Sequence, residues 1–134
     1  MSVAVTCVAL LGFLLFGLGL GVSLTRQRTN TIFGSNDDPS DPLYKISRAH
    51  GNTAEYAPML AVLMLIVGAN DPPQWALWTM GLAVVSRYAL AFGILSGPTM
   101  EQPHPLRAIG ATGTYATGLA LSVAAILSTL TTAP

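Results

Sequence analysis

Long apolar stretches cut by short polar breaks set the plan of this chain. From Val3 to Leu24 every residue is apolar or neutral. A helix needs about 20 such residues to cross the ~30 Å hydrocarbon core of a bilayer. A polar connector, residues 25–41, rich in Asn, Asp and Ser, follows. The second apolar segment runs from about Pro42 to Ala69. Asp41 before Pro42 predicts an N-cap followed by a proline at the first helical position. Asn70-Asp71-Pro72-Pro73 stops this helix sharply. The third runs from about Gln74 to Ser96, with Trp75 and Trp78 as interfacial anchors at its start. Gly97-Pro98 ends it. The fourth runs from about Pro105 to Thr129. Pro58, inside the second segment, should kink that helix or loosen its backbone bonding there. The pattern predicts an all-α integral membrane protein, one four-transmembrane-helix bundle over residues 1–134.

Composition supports this. The chain has 134 residues, 51% hydrophobic and only 9% charged, with a mean hydropathy of +0.56. Soluble domains are about 25% charged. Net charge is zero, so no basic surface argues for nucleic acid. The lone Cys7 cannot form an internal disulfide and reads as a small packing residue. His50 and His104 lie far apart in sequence and give no metal-ligand spacing. The first segment resembles a signal peptide only superficially. It has no basic leader and is too long for such a core, so it reads as a retained first helix.

The basic residues orient the helices. Arg26, Arg28 and Lys45 lie in or beside the first loop, Arg48 at its edge and Arg107 at the end of the third. The loop between helices 2 and 3 carries only Asp71. The positive-inside rule then places loops 1 and 3 in the cytoplasm and both termini outside. Short tails without a retention signal suit a bacterial inner membrane. Loop 1 reads as a solvated connector or as a flap over a cytoplasmic cleft. Small residues recur in helix 1 (Gly17, Gly19, Gly21) and helix 4 (Gly110, Ala111, Gly113, Thr114, Gly118). They predict close helix approach and possible oligomer contacts.

Charges inside apolar spans need a reason, because lipid penalises them. At ~100° per residue, Arg48, Asn52 and Glu55 share one face of helix 2. That stripe of cation, amide and anion can grip a zwitterionic, peptide-like ligand or another helix. Glu55 and Arg87 lie at matching depths, ~12 and ~14 Å from the same membrane face at 1.5 Å per residue. They predict an intramembrane ion pair or hydrogen-bonded network, within or between subunits. Arg107 opens helix 4 at the cytoplasmic interface. It reads as a snorkelling anchor or as a guanidinium that lowers a nearby thiol's pKa. Tyr56 and Tyr115 are packing aromatics or ligand donors.

The run Arg48-x-x-x-Asn52-x-x-Glu55-Tyr56-x-Pro58 resembles the helix-2 signature of the MAPEG family, membrane-associated proteins of eicosanoid and glutathione metabolism. At these positions it is most similar to leukotriene-C synthase and microsomal glutathione transferases. Arg87, Arg107 and Arg26 resemble the family's arginines in helix 3, helix 4 and at the end of helix 1. The resemblance implies a homotrimer with glutathione as co-substrate, held between subunits near the cytoplasmic side. It gives Arg48, Asn52, Glu55 and Tyr56 the role of gripping the peptide, with Arg26 reaching in from a neighbour. It gives Arg107 the catalytic role of stabilising the thiolate for attack on a lipophilic electrophile dissolved in membrane lipid.

The chain also departs from active members of that family. Leu90 and Ile94 stand where many carry a histidine or tyrosine and a tyrosine. Ala108 and Gly51 replace a serine and a basic residue found in some relatives. Two functions follow as expectations: a glutathione-dependent transferase or peroxidase, or a non-catalytic binding or scaffold protein using the same cleft. A purely structural bundle is disfavoured, since locking helices does not require the whole helix-2 stripe.

Overall fold

In the computed structural model, which describes residues 1–131, four helices follow one another: α1 (Ser2–Thr29), α2 (Pro42–Ala69), α3 (Gln74–Ser96) and α4 (Pro105–Thr131). Each is long and apolar enough to cross a membrane. Local chemistry sets the breaks. Asp41 caps α2, its carboxylate accepting the Tyr44 N–H at 2.9 Å, with Pro42 at the first turn. α1 runs beyond its predicted end at Leu24 to Thr29. There the Thr25 and Thr29 hydroxyls are satisfied within the helix by the Gly21 and Thr25 carbonyls at 2.8 and 3.0 Å, and the left-handed Asn30 closes it. α2 continues through Pro58.

α1 packs on α2 and α3, and α4 packs on α3 and α2, while α1 and α4 do not meet among the described residues. The α3–α4 crossing is close because Gly110 carries no side chain. A Cβ there would lie 2.5 Å from the Leu90 nitrogen and 2.7 Å from the Ser86 carbonyl oxygen. Gly93 does the same from α3, where a Cβ would meet the Arg107 nitrogen at 2.6 Å. Of the helix-4 glycines predicted to allow close approach, Gly110 and Gly113 face α3 and Gly118 faces Leu60 of α2. Gly19 and Gly21 of α1 lie against His50 and Ile46 of α2.

The core falls into two apolar clusters. One gathers Cys7, Leu11, Leu60, Met64, Met80 and Leu121. The other gathers Leu14, Leu18, Ala49, Leu90, Ala91 and Ile94. Between them along the helices lies a buried polar layer of Thr53, Ser86, Arg87, Thr114 and Thr117. Large apolar residues such as Phe13, Phe16, Leu82, Phe92 and Leu119 are exposed on the outside. Such a surface suits lipid, since apolar atoms gain nothing by hiding from hydrocarbon.

Candidate functional site

A cleft of about 370 Å³ opens at the end of the bundle where α2 and α4 begin. α2 supplies Arg48 and Asn52, α3 supplies Leu90 and Ile94, and α4 supplies Arg107, Ala108 and Ala111. Met100, Pro103 and His104 close it from the α3–α4 loop. Residues 48 and 52 are one turn apart, so both side chains leave α2 on the same face.

α4 starts at Pro105, with the His104 carbonyl accepting the Arg107 and Ala108 N–H groups at 3.0 and 3.2 Å. Arg107 therefore sits in the first turn. One of its terminal nitrogens, Nη1, donates to the Met100 and Gln102 carbonyls at 2.9 and 3.3 Å. Those bonds hold the guanidinium at the cleft wall and fold the loop round it. Two further ties fix the loop. Lys45 Nζ donates to the Gly97 carbonyl at 2.9 Å. The Met100 N–H donates to the Pro39 carbonyl at 3.0 Å, joining the two loops at this end. The imidazole Nε2 of His104 lies 3.5 Å from the Ser96 hydroxyl.

Arg87 lies beside the cleft, 1% exposed. Its Nη2 donates to Asn52 Oδ1 at 2.8 Å and to Thr53 Oγ1 at 3.2 Å. Its guanidinium carbon stands 5.5 Å from the centre of the Tyr56 ring, a cation–π contact. The expected ion pair with Glu55 does not form within the subunit, although the hydrogen-bonded network does. The reason is angular. Asn52, Thr53 and Tyr56 face the guanidinium, and Glu55 lies about 60° round the helix beyond Asn52, on the side away from Thr53. Glu55 is exposed on the outside of the subunit.

The stripe read from sequence is thus divided. Arg48, Asn52 and Arg107 line one cleft. Tyr56 turns to a separate, mostly apolar groove of about 350 Å³ between α2 and α4. There its ring meets Tyr115 edge to face at 5.7 Å, with the hydroxyls 3.4 Å apart. Arg26 sits in the last turn of α1, does not line the cleft, and donates to the Ile32 carbonyl at 3.5 Å. Leu90 and Ile94, the positions that depart from active relatives, do form part of the cleft wall.

Sequence reasoning passed over three residues at this site. Thr53 offered no signal beyond its place next to Asn52. Lys45 counts in the sequence as a topology charge, and its one clue is a stem long enough to reach a helix C-terminus. His104 gives no metal-ligand spacing, and its signal is its position three residues before Arg107, in the same wall.

The model of the MAPEG family matches residues 4–127. A search of curated proteins found no match to the chain. The family match spans nearly the whole chain and takes in residues of all four helices. The chain belongs to the MAPEG family, whose members include glutathione-dependent transferases and related enzymes.

Proposed function

We propose that the cleft binds glutathione and that the protein is a glutathione-dependent transferase or peroxidase acting on a lipophilic electrophile from the bilayer. One observation carries this reading: Arg48, Asn52 and Arg107, drawn from two helices, line a single cleft at one end of a membrane-spanning bundle. A tripeptide with two carboxylates needs such cations, and an amide can pair with its peptide groups. The Arg107 guanidinium favours the thiolate over the thiol, the thiol's proton leaving to water. In transfer, the thiolate sulfur donates its electron pair to an electrophilic carbon. A C–S bond forms as the bond to a leaving group or ring oxygen breaks. Glu55 and Tyr56 complete the grip in a homotrimer, where Arg26 of a neighbouring copy reaches the ligand. The basic residues of the first and third loops favour a cytoplasmic cleft with both termini outside, as in a bacterial inner membrane.

A second reading has its own support. Leu90 and Ile94 make one wall of the cleft apolar, which favours a non-catalytic protein that binds glutathione or lipid. Titration of glutathione onto the purified protein separates the two. Thiolate absorbance that grows with ligand and vanishes in Arg107→Ala supports the enzyme. Saturable binding without thiolate supports the binding protein, and no binding of glutathione overturns both glutathione readings.

A further inference from the structure

We infer that Ile32 and Phe33 form an interfacial wedge that seats the first loop among the lipids of the bilayer. These two large apolar side chains are adjacent and 97% and 94% exposed. In water they would be misplaced, and three features set them in the membrane interface. First, α1 has 28 residues, a length of ~42 Å at 1.5 Å per residue. That matches the ~40–45 Å of a bilayer with its headgroups, so the α1 terminus lies in the headgroup layer.

Second, the chain does not run on into solvent. Asn30 takes the left-handed conformation (φ 51°). Its N–H donates to the Gln27 carbonyl at 3.4 Å, and that of Thr31 to the Arg26 carbonyl at 3.1 Å. This double bond pattern closes a helix and reverses the chain. Thr31 is thereby held level with the last turn, and Arg26 Nη1 ties down the Ile32 carbonyl at 3.5 Å. Gly34, at φ 70°, then turns the backbone again.

Third, the charges fit. Arg26 and Arg28 occupy the last turn of α1 beside the pair, where lipid phosphates are available. Two of the nearby acids are turned to the backbone instead: Asp38 accepts from the Ser40 N–H and Asp41 from the Tyr44 N–H, at 2.8 and 2.9 Å. Asp37 is the remaining acid in this stretch and lies beyond Gly34, on the side away from the arginines in sequence. Phe33 and Ile32 reach the acyl boundary while Arg28 meets phosphate. This placement holds whether or not the cleft binds glutathione.

The test is a nitroxide label at Phe33→Cys, with Cys7→Ala to remove the native thiol, in bilayers containing anionic lipid. The same label at Asn36→Cys is the aqueous control. Collision with oxygen, relative to a water-soluble nickel chelate, should be several-fold higher at 33 than at 36. In a second variant, Ile32→Ser with Phe33→Ser, a label at Thr29→Cys should become more mobile while helix content is unchanged. Equal collision ratios at 33 and 36 would overturn the wedge. Spin–spin broadening at 33, the mark of a second copy packed on the pair, would overturn it too, as would unchanged mobility at 29.

Discussion

Arg87 takes a full charge into the middle of the bundle and hydrogen-bonds there to neutral oxygens. A hydrogen bond to a charged group is worth about 1.5–3 kcal/mol, and its loss leaves the guanidinium less satisfied in a buried site. Asn52→Leu should therefore destabilise the fold by on the order of 2 kcal/mol. In a double-mutant cycle with Arg87→Leu, Asn52 should show coupling of similar size, whereas Glu55→Leu should couple to Arg87 by less than ~0.5 kcal/mol. Denaturant titration in mixed micelles measures both. A larger coupling to Glu55 than to Asn52 would disprove the hydrogen-bonded arrangement. Asn52 also lines the cleft, so one amide serves the buried network and the candidate binding surface.

At the scale of the helices, contact between α3 and α4 depends on missing side chains. Gly110→Ala forces a methyl against the Leu90 backbone and side chain and the Ser86 carbonyl. Overpacking of this kind costs about 1–3 kcal/mol. Gly12→Ala, with nothing within 4 Å of the added carbon, should leave stability unchanged or slightly raised. Unfolding midpoints of the two variants test the contrast, and equal losses would refute it. Lys45 acts between elements: Lys45→Met releases the Gly97 carbonyl, so amides in residues 97–104 should exchange faster while those inside the helices do not. The starts of α2, α3 and α4 could be read from sequence because prolines, caps and interfacial tryptophans act locally, whereas the polar last turns of α1 carried no such mark. The partners of Arg87 could not, because they depend on how α2 is rotated about its axis against α3. Depth arithmetic matched Glu55 with Arg87 along the membrane normal and carried no information about that rotation. Arg48, Asn52 and Arg107 could be grouped beforehand only through the family resemblance, since α2 and α4 are distant in sequence.

For the whole molecule, the telling feature is a carboxylate on the outer surface of a membrane-spanning helix. Glu55 is exposed on the single subunit, within a segment long and apolar enough to cross the bilayer. An acidic group facing lipid at such depth costs about 2.5–3.5 kcal/mol on insertion scales. Arg87 of another copy cannot relieve that cost, because it is 1% exposed and lies between the helices of its own subunit. In the proposed homotrimer a neighbour's surface, or ligand held against it, covers Glu55. Glu55→Leu removes the cost from the isolated subunit and so shifts the balance toward monomers. Association should weaken by roughly tenfold or more, each 1.4 kcal/mol being one decade. Energy transfer between differently labelled copies, followed as the protein is diluted with lipid, reads this directly. If the variant associates as tightly as the native chain, Glu55 is not covered by another subunit.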